Sequence, residues 1–174
     1  MKCSHNEKNL LKHLQFTPIW TNVIYFIAPI LLFYYKEWEM GTIIMIIAII
    51  SILHHSFSYM QTQCVPEKTK RHRALSWLDI LCSNAGSFYA IYLIWKRGIL
   101  VNRAIIGLIV CIFIISMVLF FLSLSYDLRA EHLDKSSKRF IKLASLYELY
   151  HGFWHIFSGI GILIVSYLLI KDKL

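Results

Sequence analysis

The sequence predicts an all-α protein: a polytopic transmembrane helical bundle of about five spans, in one domain over residues 1–174. The first observation is composition. Of the residues, 57% are hydrophobic and the mean hydropathy is +0.57, which is typical of a polytopic membrane protein and not of a water-soluble domain. The second is that the charged residues, 16% of the chain, cluster between apolar runs. The third is that five of these runs are long enough for a helix of roughly 20 apolar residues to cross a bilayer.

The five apolar runs are predicted to be helical, because lipid offers no hydrogen-bond partner for backbone groups. The first run is predicted to stay in the membrane as a span, since no small-residue cleavage site follows it. The fourth run is predicted to be one helix, because it is too short for two spans and a turn. In chain order, the predicted spans are residues 16–35, 42–60, 77–95, 99–126 and 145–170.

The connections between the predicted spans are of two kinds. Those at residues 36–41 and 96–97 are short, so each joins a helical hairpin. The stretch 127–144, DLRAEHLDKSSKRFIKLA, is longer and has apolar residues at helical spacing among charged ones. It predicts an amphipathic helix that lies at the membrane interface.

Basic residues predict the orientation of the bundle. The side that carries the N-terminus, the loop 61–76 and the stretch 127–144 holds 12 of the 18 lysines and arginines. The positive-inside rule places that side in the cytoplasm, and five crossings then leave the C-terminus on the extracytoplasmic side. The net charge of +8 is explained by loops that contact anionic membrane lipids. Nothing in the charge pattern indicates binding to nucleic acid.

Three of the spans carry polar and ionisable residues at the same predicted depth. Ser51 and His55 lie towards the cytoplasmic end of the second span, in SILHHSFSY, and Asp79 lies in the first turn of the third, in SWLDILCSN. His151 and His155 lie in the first half of the fifth span, in HGFWHIFSG. Residues four apart share a helix face. We therefore expect these side chains to come together inside the bundle.

The chemistry that these residue types favour is a metal site. Three histidines with one position left open for water are a common ligand set of catalytic zinc. His55, His151 and His155 are the predicted ligands. Asp79 is predicted to orient the water or to accept its proton. Ser51, one turn before His55, is predicted to hydrogen-bond the carboxylate or the water.

Other interpretations of these residues stay open. A histidine in a membrane helix is often a hydrogen-bonded packing residue, and this is the interpretation for His54, which faces about 100° away from His55. Haem held by histidines on two facing helices is a further possibility, although haem gives no role to a third histidine or to Asp79. Glu148 shares a helix face with His151 and is expected near the water interface. The four cysteines have neither metal-binding nor disulfide spacing.

The set Ser51-x-x-x-His55, Asp79 and His151-x-x-x-His155 resembles the CREST superfamily, which includes alkaline ceramidases, progestin and adiponectin receptors and myomaker-like proteins. The double histidine of SILHHSFSY and the aromatic-rich HGFWHIFSG are most similar to the myomaker branch. In this superfamily three histidines bind zinc, and a serine and an aspartate stand near the metal-bound water. Its members usually have seven spans, so the five predicted here imply a reduced bundle.

The resemblance implies an integral membrane, zinc-dependent hydrolase that cleaves an amide or ester bond in a lipid-like substrate. Its surroundings and partners are then membrane lipids. The alternative that the resemblance implies is a non-catalytic membrane protein with a structural zinc ion, which serves in signalling or membrane remodelling.

Overall fold

The computed structural model describes residues 21–61, 70–99, 101–134 and 137–171. Over these ranges the chain is helical apart from short turns, and they contain no β-strand. The all-α fold class predicted from the sequence is thereby confirmed. The helices, numbered in chain order, are α1 (Ile24–Tyr34), α2 (Trp38–Gln61), α3 (Lys70–Lys96), α4 (Arg103–Glu131) and α5 (Lys138–Lys171).

Three of these helices are long and apolar enough to cross a membrane, judged by length and composition. They are α2 over Trp38–Ser56, α4 over Arg103–Ala130, and α5 over its whole length. They correspond to the second, fourth and fifth predicted spans, with ends that differ by a few residues. Long apolar helices of this kind indicate a membrane protein.

The other two predicted spans differ from these three. Residues 16–20 of the first lie outside the described ranges, and α1 is an apolar helix of 11 residues. α3 contains the whole third span, but polar residues interrupt its apolar ones. Two of them, Asn84 and Ser87, donate hydrogen bonds to the carbonyl groups of Ile80 and Ser83 in their own helix, a common arrangement in membrane helices. That α1 and α3 also cross the membrane stays a prediction.

The prediction of a separate interfacial helix over residues 127–144 is wrong. α4 continues to Glu131, and α5 begins at Lys138. The Ser137 hydroxyl accepts a hydrogen bond from the Phe140 amide at 3.1 Å, which caps the first turn of α5. The apolar residues at helical spacing in this stretch therefore belong to extensions of two long helices, and the charges lie where one helix ends and the next begins.

Four helices build the main hydrophobic core, and α4 lies outside it. α1 packs against α2 and α5, and α2 packs against α3, whereas α4 packs mainly against α5. Only 11% of the apolar segment of α4 is buried, so most of its surface is available to lipid. The core side chains come from α1, α2, α3 and α5; they are Ala28, Leu32, Met40, Ile44, Ala90, Leu93, Val165, Leu169 and Ile170.

A partly buried ion pair joins the turn between α1 and α2 to the end of α3. Both terminal nitrogens of Arg97 donate hydrogen bonds to the two carboxylate oxygens of Glu37, each at 2.8 Å. Glu37 is 2% exposed, and a two-pronged contact of this kind fixes both position and orientation. His55 lies 18 residues further along α2, or about 27 Å at ~1.5 Å per residue. The ion pair therefore stabilises the end of the bundle that is remote from the histidines.

Candidate metal centre

Three imidazole rings from two helices meet inside the bundle. The Nε2 atom of His55, on α2, lies 2.9 Å from Nε2 of His155 and 3.3 Å from Nε2 of His151, both on α5. The three residues are 5%, 1% and 7% exposed, respectively. His151 and His155 are one helical turn apart and share a face, so a single neighbouring helix can present the third ring to both. The structure therefore brings these three histidines together, as the sequence predicts.

The spacing of these nitrogen atoms suits a bound cation better than a hydrogen-bond network. The Nε2 atom of a neutral imidazole either donates or accepts, yet Nε2 of His55 faces two other Nε2 atoms. In a tetrahedral site, metal–nitrogen bonds of about 2.0–2.1 Å place the nitrogens roughly 3.3 Å apart. The observed separations lie close to this value, so the three residues fit a divalent metal ion.

The same spacing bears on haem. A haem iron with two axial histidines needs the porphyrin plane between the two nitrogen atoms. His55 Nε2 and His155 Nε2 are 2.9 Å apart, which leaves no room for a ring between them. Haem bound between these two rings is therefore not compatible with this arrangement.

Residues of α1 and α5 support the His155 ring. Tyr25 of α1 packs edge-on against it, with ring centroids 5.8 Å apart. The Ser158 hydroxyl donates to the carbonyl oxygen of Trp154 at 2.5 Å, so it is left to accept the hydrogen bond that joins it to the Tyr25 hydroxyl. Trp154 also lies against the His155 ring, with centroids 4.6 Å apart. The contact of Tyr25 with His155 could not be predicted, because an aromatic residue in an apolar helix carries no signal for what it contacts.

Asp79 lies beside His54 and His55, and Ser51 lies beside Asp79. Asp79 of α3 is 2% exposed and Ser51 of α2 is 3% exposed. The Ser51 hydroxyl lies next to the Asp79 carboxyl group, although without a hydrogen bond of standard geometry, and Asp79 Oδ1 has no hydrogen-bond partner among the described residues. A ligand atom of Asp79 lies within 4.8 Å of one on His55. The carboxylate is thus close enough to act on a small molecule held at the histidines.

His54 lies closer to the other polar residues of the site than the sequence predicts. It was expected to be a packing residue, because it faces about 100° away from His55 on the same helix. It is indeed buried, at 3% exposure, but the ligand atoms of His54, His55 and Asp79 all lie within 4.8 Å of one another. The rotation that takes His54 off the three-histidine face turns it towards α3. The relative rotation of α2 and α3 decides this contact, and no spacing in the sequence reports it.

A small cavity adjoins His151, and both polar and apolar residues line it. Its volume is about 40 Å³, enough for a few water molecules at roughly 10–15 Å³ each. Asp127 and Tyr147, which sequence analysis did not single out, form part of its wall, whereas Glu148 lies close to Asp127 without lining the cavity. Its polar lining residues are His54, Asp79, Ser123, Asp127, Tyr147 and His151.

Comparison of this chain with protein-family models, with curated proteins and with solved structures finds no match. The resemblance to the CREST superfamily therefore stays a prediction, and the geometry described above is what supports a function.

Proposed function

We propose that this protein is a zinc-dependent membrane hydrolase of the CREST type, which cleaves an amide or ester bond in a lipid-like substrate. The observation that carries the proposal is the convergence of three buried Nε2 atoms beside a buried carboxylate. Among the described residues, the group around these nitrogens has three members. Structural zinc sites usually have four protein ligands, often cysteines, whereas three ligands with an open position are the catalytic pattern.

Each residue of the site has a role in this proposal. His55, His151 and His155 hold the ion. Bound zinc supplies a Lewis acid that polarises the substrate carbonyl and brings the pKa of a bound water to about 7. Asp79 orients the attacking water, accepts its proton and passes that proton to the leaving group. Ser51 holds the carboxylate in position.

The surroundings of the site support a substrate that comes from the membrane. The histidines lie in α2 and α5, two of the helices that are apolar and long enough to span a bilayer. Bulk water is excluded from all three ligands by burial, so electrostatic interactions at the site are strong. The cavity beside His151 and Asp79 has room for the few water molecules that hydrolysis needs.

The size of this cavity favours a second candidate function. At about 40 Å³, it is far smaller than the roughly 300–1,000 Å³ of a typical ligand pocket. A protein with a zinc ion that holds α2 against α5, and with no turnover, needs no larger space. The second candidate is therefore a non-catalytic membrane protein with a structural zinc ion, active in signalling or membrane remodelling.

The first test is elemental analysis of detergent-purified protein. Wild type is expected to carry zinc at about one equivalent per chain or more, and His151→Ala and His155→Ala to lose one equivalent. His132→Ala, which removes an exposed histidine, is the matched control and should keep it. A fully active His151→Ala protein would contradict the proposal.

The second test separates the two candidates. Wild type and Asp79→Asn are incubated with a panel of lipid amides and esters, and product is measured by mass spectrometry. Turnover by wild type that is lost in Asp79→Asn with zinc retained supports the hydrolase. Zinc at one equivalent without turnover of any substrate in the panel favours the structural role.

A further inference from the structure

We propose that the cavity beside His151 binds a second divalent cation, held by His54 and Asp79. This site goes beyond the proposed hydrolysis and does not require it. It shares Asp79 and the cavity with the proposed hydrolytic site, and it gives a role to His54, which that site leaves without one.

The two ligands are placed for a shared ion. Ligand atoms of His54 and Asp79 lie within 4.8 Å of each other, and both residues line the cavity. Asp79 is 98% buried, since its exposure is 2%, and its Oδ1 atom has no hydrogen-bond partner among the described residues. A buried carboxylate oxygen without a partner is costly. A cation in the cavity would remove that cost.

The charges around the cavity also favour a cation. Two carboxylates, Asp79 and Asp127, form part of its wall, and a third, Glu148, lies close to Asp127. The hydroxyl-bearing residues Ser123 and Tyr147 line it as well, and among the described residues that line it there is no lysine or arginine. Such walls attract a positive ion and repel an anion. The volume of about 40 Å³ accommodates an ion together with water ligands.

The ligand types predict which ions each site prefers. His55 directs its Nε2 atom to the neighbouring nitrogens of His151 and His155, and we assign the second ion one imidazole, that of His54, with oxygen ligands otherwise. Carboxylate and water oxygens suit Mg²⁺ and Mn²⁺, whereas an all-imidazole site suits Zn²⁺. We expect Zn²⁺ at the three histidines and Mn²⁺, which also accepts a nitrogen ligand, in the cavity.

The experiment is a manganese titration of the zinc-loaded protein. Detergent-purified full-length protein is stripped with a chelator, reloaded with one equivalent of Zn²⁺ and titrated with Mn²⁺. Electron paramagnetic resonance measures the free Mn²⁺ that remains. Wild type is expected to bind one Mn²⁺ per chain saturably. His54→Ala and Asp79→Asn should each weaken Mn²⁺ binding by at least about tenfold. Loss of a residue that only hydrogen-bonds a metal ligand lowers metal affinity by roughly 10–100-fold, and loss of a ligand itself should cost no less.

Controls and opposing outcomes keep the two sites apart. His132→Ala and Asp134→Asn, which change exposed residues of the same types, should bind Mn²⁺ like wild type. Retained zinc shows that a variant is folded at the three-histidine site. If His54→Ala loses zinc, His54→Gln replaces it as the variant in which Mn²⁺ binding is measured. Wild-type protein that carries zinc but shows no saturable Mn²⁺ binding would overturn the inference and leave the proposed function standing. Mn²⁺ binding that is unchanged in both His54→Ala and Asp79→Asn would also overturn it.

Discussion

The burial of Asp79 inside a membrane helix has a high cost in free energy. It is 2% exposed, and an ionised carboxylate without a paired charge is costly to bury. Asp79 also makes α3 less apolar. An ionisable residue buried in a membrane helix is a functional-site hypothesis by default, and this supports the role proposed for Asp79.

Asp79→Asn tests this at the level of one atom. The amide has nearly the same shape but cannot accept a proton, so we expect hydrolysis to fall by about 10²–10⁴-fold, the usual contribution of a general acid or base. Zinc content should be unchanged, because the three histidines are untouched. Initial rates and elemental analysis of the same preparation measure both. Asp134→Asn is the matched control, and wild-type rates in Asp79→Asn would exclude the proton-transfer role.

Tyr25→Phe tests the support of His155. The substitution removes the hydroxyl that hydrogen-bonds Ser158 but keeps the ring that packs against His155. We expect a loss of about 0.5–1.5 kcal/mol of stability, together with weaker zinc binding. Thermal unfolding and zinc titration in the same detergent measure these effects. Tyr167→Phe, at a residue that is 58% exposed, should change neither stability nor zinc affinity. Equal stability and zinc affinity of the two variants would show that the Tyr25 hydroxyl contributes to neither.

What could be predicted about the site follows from these particulars. Ser51, His55, His151 and His155 were found from four-residue spacing, which reports a shared helix face. Asp79 was predicted to be near the histidines from its depth in the membrane, because the alternating direction of the spans places Asp79 and the histidines at the cytoplasmic ends of their helices. His54, like Tyr25, Asp127 and Tyr147, was missed, because contact between helices depends on how each is rotated about its axis. A sequence without pronounced amphipathic helices does not specify that rotation.

At the level of elements, glycines mark where helices approach closely. A Cβ added at Gly159 of α5 would overlap Cγ2 of Ile24 on α1 and also approach its Cβ, at 3.4 Å. Because isoleucine is branched at Cβ and stiff, that group cannot swing away. A Cβ at Gly86 of α3 would meet Cδ1 of Ile47, the flexible end of its side chain. A Cβ at Gly107 of α4 would meet nothing within 4 Å.

These three glycines give a graded prediction. Gly159→Ala should destabilise the protein by about 1–3 kcal/mol through overpacking, and Gly86→Ala by less. Gly107→Ala should be neutral or stabilising, since alanine is favoured over glycine in helices by up to about 1 kcal/mol. Thermal unfolding in one detergent ranks the three. Gly159→Ala as stable as Gly107→Ala would mean that α1 is not held closely against α5.

The stretch 127–144 shows the limit of prediction for elements. Its charges suggested a helix separate from the spans, yet α4 and α5 both extend into it. Helical periodicity was recognised correctly, but periodicity does not say whether a turn precedes or follows a charged cluster. The break instead falls before the Ser137 cap, a signal that was present in the sequence among other serines.

For the whole molecule, the orientation in the membrane is a prediction from the basic residues. In a background with all four cysteines changed to serine, we expect Lys138→Cys to be labelled by an impermeant maleimide only from the cytoplasmic face. Lys96→Cys, at the other end of the bundle, should be labelled only from the opposite face. Sealed vesicles of known orientation provide the measurement, and detergent-opened vesicles the control. The reverse pattern would show that the positive-inside rule fails here.

α4 has a consequence for how the protein meets its bilayer. Between Arg103 and Asp127 it has 23 uncharged residues, about 34 Å at ~1.5 Å per residue, whereas the hydrocarbon layer is about 30 Å thick. A helix this long tilts or gathers thicker lipid around it. α4 packs mainly against α5, and its residues Phe120, Ser123 and Asp127 form one wall of the cavity beside His151. A change in bilayer thickness is therefore expected to change the tilt of α4 and, with it, the position of this cavity wall.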